Sequence, residues 1–469
     1  MEIMDDLFNC GKAVINAEKE DKVVIARQRR DSKKRSDKGL PSILTLRKVL
    51  IDYTAQQTQA LQEIARFMTD NNRSQYILAG FAGTGKTTIV ENIINYAKAL
   101  EKTCIVSAPT NQAVKVLREK LGDGAPAEFR TLHSVLYGAP DPDSGEWITN
   151  VRFTSNDFLV VDEGSMISAS VYRDLIDRLQ GTGAKVVFSG DSFQLEPVGE
   201  DPQIIKKGDI ELTEVKRQAE NSKILVLATA LRNVRKAIIP NQSLDDVLVL
   251  SPVQAEQAFL QAVAAAEDCV YIVGTNRSRL ALNLKARTAR FGVGVTDAPR
   301  SGDSLIVIGN GTFFVNGDRL LLSQVDIISE EMVELRDNTA NGVYKQKAYI
   351  IEDEWRKIVV LPEVQKPSVY HSQFLTPEKF FPAEWYDRNV KSRRNELSKD
   401  VAVATYGYCL TAHKSQGSQW MQVFVRQDAF RDNARWLYTA VTRAAGQLIL
   451  TSDTGHRMTW ESIENSAKL

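Results

Sequence analysis

The chain has 469 residues, too many for one ordinary core, so two to four domains are expected. Its 43% apolar and 25% charged residues are those of a soluble globular protein, and 59 basic against 59 acidic residues exclude a surface coated in positive charge while leaving room for a local basic groove. Four scattered cysteines without a CxxC pair argue against a disulfide framework or zinc site and fit a reducing cytosol; no apolar run approaches the roughly 20 residues of a membrane span, and the N-terminus lacks a signal-peptide core.

Residues 1–49 form a basic N-terminal arm around Arg27-Gln-Arg-Arg-Asp-Ser-Lys-Lys-Arg35. Such a run is either a solvated helix or flexible arm, or an arm for nucleic acid. From about residue 50, apolar strands at Tyr76–Ala79, Cys104–Ala108, Phe158–Val161 and Lys185–Ser189 alternate with helical periodicity. That pattern predicts a parallel sheet with crossover helices. A second αβ set begins near Asn233, includes a strand at Val270–Gly274, and resumes at Val401. Between its halves, short strands at Ser304–Ile308, Arg319–Leu322, Ala348–Ile351 and Lys357–Leu361 alternate with Gly and Asn turns, as in a small β-barrel.

The chemistry starts at Gly80-Phe-Ala-Gly-Thr-Gly-Lys86-Thr87, a complete phosphate-binding loop between a strand and a helix. Glycines let backbone N–H groups wrap phosphate oxygens at a helix N-terminus. The binding set is therefore Gly83, Thr84, Gly85, Lys86, Thr87 and Thr88; Lys86 faces the outer phosphates of ATP, and Thr87 can ligate Mg²⁺. Asp162 and Glu163 end an apolar strand, where the first carboxylate can hold Mg²⁺ and the second can orient and deprotonate the attacking water. Gln194, after the next strand, is placed to sense the γ-phosphate. Upstream, Gln57 is expected to set its amide against adenine, chosen over Gln56 by its spacing from Thr54. Residues 134–153, two short arms around a Pro/Asp/Gly turn, read as a β-hairpin. In the region of the β insert, Phe374 to Arg394 interleaves aromatic with basic residues, which suits either stacking on a single strand or packing of the insert.

Taken in order, Thr54–Gln57, Gly80–Thr87, Ala108–Ala113, Thr131–Ser134, Asp162–Met166, Gly190–Pro197, Leu212–Arg217, Leu410–Gly417 and Leu437–Arg443 resemble the superfamily 1 helicases of group B, above all the RecD and Dda branch. The resemblance covers about residues 50–455; Gly164 and Glu196 depart from the usual small apolar residue and proline, and the first 45 residues have no counterpart in the shortest members. It implies two RecA-like domains, at 50–232 and at 233–301 with 401–469, and an SH3-like insert at 302–400. It makes the hairpin a duplex-splitting pin, with Trp147 either its apolar wedge or packing beneath it. It also implies that Arg217 and Arg443 reach the γ-phosphate, that Gln416 and Gly417 lie near the nucleotide, and that Thr110, Asn111, His133, Thr411 and His413 hold nucleic-acid phosphates. The expected activity is an ATP- and Mg²⁺-dependent DNA helicase, cytoplasmic and monomeric, moving 5′→3′ on single-stranded DNA into forked duplex, with a single-strand-binding or other replication protein as partner. An RNA helicase of the same group, a translocase that strips proteins, and a phosphate-loop kinase are the rival readings.

Overall fold

The computed structural model describes residues 53–122, 124–137, 152–196, 208–214, 222–292, 297–309, 317–337, 342–353, 356–362 and 401–468. The basic arm, Trp147 with most of the expected hairpin, Arg217 and the 374–394 stretch lie outside them.

Helix α1 (Ala55–Thr69) opens on a capping box in which Thr54 and Gln57 satisfy each other's backbone N–H groups. It leads into β1 (Gln75–Gly80), α2 (Lys86–Ala99), β2 (Thr103–Ala108), α3 (Asn111–Leu121), β3 (Glu128–Thr131) and α4 (Leu132–Tyr137). Then follow β4 (Asp157–Val161), α5 (Ala169–Leu179), β5 (Lys185–Gly190) and β6 (Ile210–Leu212). These strands form one parallel sheet in the order β3-β2-β4-β5-β1-β6. Both faces are covered, and β4 shows it residue by residue. Phe158 and Val160 enter one apolar cluster with α1 and α2, while Leu159 and Val161 enter another with α4 and α5. A strand buried on both sides must be apolar at every position, which is why these segments read as unbroken runs.

The second αβ set repeats the principle. Its elements are α6 (Lys223–Val234), β7 (Ile238–Pro240), β8 (Val247–Leu250), α7 (Pro252–Ala264), β9 (Cys269–Val273) and α8 (Asn276–Phe291). Six further strands come next: β10 (Ser304–Gly309), β11 (Arg319–Leu321), β12 (Asp326–Asp337), β13 (Gly342–Asp353), β14 (Arg356–Val360) and β15 (Val401–Tyr406). The chain closes with β16 (Cys409–Thr411), α9 (Ala412–Ser415), β17 (Trp420–Arg426), α10 (Ala434–Val441), β18 (Ala444–Thr451), β19 (His456–Met458) and α11 (Trp460–Ala467). Strands β16-β9-β17-β18-β8 form a second parallel sheet, and β7 pairs with β19. In β9, Val270 and Ile272 face one cluster while Tyr271 and Val273 face the other. Two parallel sheets covered by helices fit the RecA-like α/β arrangement.

Strands β10 to β15 make a mixed sheet in the order β11-β10-β15-β14-β13-β12. Residues 401–406, expected in the second αβ domain, pair with both β10 and β14 and so belong to this sheet. Their alternating Ala402, Ala404 and Tyr406 share an apolar cluster with Leu305, Val307, Phe259 and Tyr271, which seats the sheet on the second αβ set. Residues 134–137, expected as the first arm of a hairpin, are helical instead. Leu132, Val135 and Leu136 are buried at i, i+3 and i+4, so the helical period wins there. Among the described residues no helix is long and apolar enough to cross a membrane.

Candidate functional site

The loops after β1, β4 and β5 leave the carboxyl ends of three neighbouring strands, so their residues meet at one edge of the first sheet. After β1, Gly83 and Gly85 take φ of +78° and +80°, a region costly for other residues. A Cβ at Gly80 would lie 3.0 Å from Thr84 Oγ1 and 3.1 Å from Leu212 Cβ. Thr84 is fully buried, and its hydroxyl donates to Phe81 O at 2.8 Å. Lys86 Nζ rests on Gly80 O at 2.7 Å and Phe81 O at 3.0 Å. Helices α3, α5, α6, α7 and α8 are each N-capped by a Thr or Ser side chain, whereas α2 begins at Gly85 with no side-chain cap. Its first N–H groups, with half-buried Thr87 and Thr88, suit a phosphate as their acceptor. The expected cradle fits.

Gln57 is fully buried against this loop. Its Nε2 donates to Thr84 O at 2.8 Å and its Oε1 accepts from Thr54 N at 3.1 Å. One end of the amide holds the loop and the other holds the start of α1. Gln56 turns the other way, accepting from the Thr213 and Glu214 N–H groups.

Beyond β4, Asp162 N donates to Ser107 O at 2.8 Å, and Glu163 takes the left-handed conformation (φ 51°, ψ 38°) ahead of a short 3₁₀ turn at Gly164–Met166. Burial raises the Glu163 carboxyl above its ordinary range, and Asp162 adds to the rise; the positive charges of Arg443 and Lys86 oppose it. A carboxylate made more basic by its surroundings suits proton abstraction. After β5, Asp191 is buried and accepts from Phe193 N at 2.9 Å. Gln194 is buried as well, and its Oε1 has no hydrogen-bond donor among the described residues. An unsatisfied buried amide oxygen at this edge suits a ligand-sensing residue.

The second αβ set supplies the facing wall. Arg443, 5% exposed, donates to Thr439 O at 3.1 Å, Ser418 O at 3.3 Å and Thr442 Oγ1 at 3.2 Å, all neutral oxygens. Its guanidinium is the first of the two positive groups that oppose the rise at Glu163. Tyr438 OH accepts from Ala82 N at 3.0 Å and donates to Asp191 Oδ2 at 2.6 Å. Thr439 Oγ1 accepts from Leu195 N at 2.9 Å, and Gln416 Nε2 donates to Leu195 O at 2.8 Å. Glu196 pairs with Arg435 at 2.6 Å, which gives this departure from the expected proline a partner across the seam. Phe81, Phe193 and Leu195 share one apolar cluster with Trp436, Leu437 and Tyr438. A cavity of about 1220 Å³ borders the seam, and within it the Arg232 guanidinium lies 3.9 Å from the centre of the Phe81 ring.

Two of these residues escaped the sequence reading. Lys120 near the end of α3 donates to Gln419 Oε1 at 3.3 Å. The residue is exposed, and its ammonium lies in the field of Asp162 and Glu163. Tyr438 lay inside the Leu437–Arg443 motif without a role of its own. Neither carried a pattern that spacing could detect.

A second group gathers elsewhere along the seam. Thr110 caps α3 by accepting from Ala113 N at 3.1 Å, and Asn111 Nδ2 reaches Asp318 Oδ2 at 3.4 Å. Gly417, at φ +74°, is so close that a Cβ there would lie 3.3 Å from Thr110 Oγ1. The structure therefore sets Gly417 beside Thr110, and Gln416 beside the segment of Gln194. Thr411 ends β16 without capping α9 by its side chain, and His413 is half-buried, which lowers its pKa. His133 is exposed on α4, 5.6 Å from the Tyr137 ring.

Residues 52–246 match a family model described as an AAA domain, and residues 406–451 one described as a UvrD-like helicase C-terminal domain. The ATP-dependent DNA helicase dda of Enterobacteria phage T4 is 30% identical over 200 residues, covering 39% of this chain and 43% of that protein. The ATP-dependent RecD2 DNA helicase of Deinococcus radiodurans is 31% identical over 159 residues, 33% of this chain and 21% of the relative. Each match thus spans less than half of the relative's length. Among solved structures, the Pif1 helicase from Bacteroides in complex with ADP-AlF3 and ssDNA is 16% identical, covers 84% of this chain and 92% of its own, and has a TM-score of 0.43.

Proposed function

Starting from a chain that is RecD/Dda-like, of the superfamily 1 group B type, we propose an ATP-dependent DNA helicase that moves along a single strand and separates the duplex ahead. The observation that carries this reading is Arg443. A guanidinium from the second αβ set, fixed by three neutral oxygens, follows directly on the helix whose Tyr438 and Thr439 bond the Ala82 and Leu195 N–H groups of the first. Hydrolysis then depends on how the two sets meet, and a change in their meeting can move a bound strand.

In this mechanism Lys86 leaves the Gly80 and Phe81 carbonyls for the outer phosphates of the substrate ATP, and the first N–H groups of α2 take the rest. Thr87 and Asp162 would hold Mg²⁺, which neutralises phosphate charge. Glu163 accepts the proton of the attacking water; Gln194 offers its free amide oxygen to orient that water. Arg443 stabilises the charge that develops, joined by Arg217. Thr110, Asn111, His133, Thr411 and His413 contact strand phosphates, which position without reading sequence.

The domain plan is 50–232 and 233–301 with 407–469 for the two motors, an SH3-like insert at 302–406 that includes β15, and a pin at 138–153, after α4, that carries Trp147. Movement is 5′→3′, the working form a monomer in the cytoplasm, and the natural partner a single-strand-binding or other replication protein. Duplexes with a 5′ or a 3′ single-stranded tail, offered with ATP and Mg²⁺ alongside single-stranded DNA and RNA as stimulators of hydrolysis, test the whole. ATP-dependent unwinding of the 5′-tailed duplex alone is expected. Unwinding of the 3′-tailed one reverses the polarity, stimulation by RNA alone makes the track RNA, and hydrolysis unmoved by either polymer removes the helicase reading.

A further inference from the structure

Resting on that functional reading, we propose that Tyr438 is a positioning residue whose hydroxyl couples the phosphate loop to the second αβ set, so that the state of the loop is felt across the seam. The side chain belongs to α10 and is 1% exposed. Its hydroxyl accepts from Ala82 N at 3.0 Å, inside the phosphate loop, and donates to Asp191 Oδ2 at 2.6 Å, at the end of β5. One oxygen from the second set thus joins two loops of the first.

The rest of the seam explains why this oxygen matters. The segment from Asp191 to Glu196 is strapped to the second set at several points: Leu195 N to Thr439 Oγ1, Leu195 O to Gln416 Nε2, and Glu196 to Arg435. Phe193 packs edge-on to the Tyr438 ring, with centroids 5.2 Å apart and an interplanar angle of 87°. These contacts make segment and second set move together. The phosphate loop has Phe81 in the shared apolar cluster, a contact without direction. The directional link to the loop is the hydrogen bond at Ala82. Burial raises the Tyr438 phenol, and Asp191 raises it further, so the hydroxyl keeps its proton and its two roles are fixed: acceptor from Ala82, donor to Asp191. A phosphate seated in the loop draws on the N–H groups that begin at Gly83, the next residue, so occupancy of the loop and the hold of Tyr438 on Ala82 are linked.

The test is Tyr438→Phe, which keeps the ring against Phe193 and removes the oxygen. The readout is base pairs separated per ATP hydrolysed, measured on a tailed duplex with the full chain, together with KM and kcat for ATP. We expect that ratio to fall at least about fivefold, the loss of one directional hydrogen bond of roughly 1 kcal/mol, RT ln 5. A ratio equal to wild type overturns the proposal, whether hydrolysis and unwinding fall in proportion or neither changes. Because Tyr438→Phe leaves a buried carboxylate without its donor, Asp191→Asn is the second variant. It keeps an acceptor for Phe193 N, removes one negative charge, and turns the group that faces Tyr438 from acceptor to donor. It is expected to lower the same ratio, and an unchanged ratio there decides against the role even if Tyr438→Phe does not fold. Wild-type protein whose hydrolysis ignores nucleic acid removes the functional reading instead, and that result is seen before either variant is made.

Discussion

Gln57→Glu is an almost isosteric change at a fully buried position, and its consequence depends on pH. In the wild type, Gln57 Nε2 donates to Thr84 O and Oε1 accepts from Thr54 N. The exchange points a second acceptor at a carbonyl. Leaving Thr84 O without its donor costs about 1–3 kcal/mol, and a desolvated carboxylate adds to that. The new carboxyl relieves the cost by keeping a proton, so its folded pKa rises above the unfolded value of about 4.3. Protonated, it can donate to Thr84 O as the amide did. The folded state therefore binds this proton more tightly than the unfolded one. Stability is retained below about pH 4.3 and lost as pH rises through the folded pKa. The variant should stay close to wild type near pH 4 and lose about 3 kcal/mol near pH 8, a drop of roughly 6–12 °C in the melting temperature of a domain of this size. Thermal melts of both proteins across that range measure it, with KM for ATP at the alkaline end expected to rise as the loop loosens. Equal losses at both ends, or none near pH 8, refute the reasoning. A raised KM with unchanged stability would put the amide on adenine rather than on the loop.

Lys86→Ala removes the ammonium from the loop and should abolish ATP hydrolysis while leaving single-strand binding within about threefold, checked by fluorescence anisotropy beside a phosphate-release assay. Glu163→Gln keeps the shape and loses the base, so hydrolysis should fall about 10²–10⁴-fold with ATP binding retained, which a binding isotherm beside the rate will separate. His413 titrates on the acid side. Burial lowers its folded pKa, so the unfolded chain takes the proton first, and stability is lost as pH falls below about 6.5 toward the folded value. His413→Gln should therefore be less acid-sensitive than wild type below that pH and no different above about pH 7.5, by denaturant midpoint at each pH.

The phosphate loop was legible because a turn that needs left-handed φ at two positions leaves only glycine, and the strands of both parallel sheets were legible because burial on two faces demands apolar runs. The twelve-residue strands β12 and β13 were mostly missed for the converse reason: Asp326-Ile-Ile-Ser-Glu-Glu-Met-Val-Glu-Leu-Arg-Asp337 is rich in carboxylates and lies at an edge of its sheet. Helix α4 was obscured by the Pro and Gly signals that follow it. Glu163 and Arg443 were both singled out, one from each half, and the field of Arg443 opposes the rise at Glu163. Gln57 was singled out, but its commitment to Thr84 depends on where α1 docks, which no local pattern encodes. Tyr438 illustrates the same limit: a tyrosine in an apolar helix acquires its partners only when 356 positions of chain fold back to Ala82.

The apolar cluster that unites Phe81, Phe193 and Leu195 with Trp436, Leu437 and Tyr438 has a calorimetric consequence. Any motion that parts the two halves must wet these side chains and then dry them again. Wetting apolar surface raises heat capacity, by about 0.45 cal/mol/K for each Å² exposed. Parting is then a small, reversible echo of unfolding, with an enthalpy that changes with temperature. The resistance of the seam is greatest at an intermediate temperature and slackens in the cold, so a machine built on it would run on a curved Arrhenius plot even where every chemical step is straight.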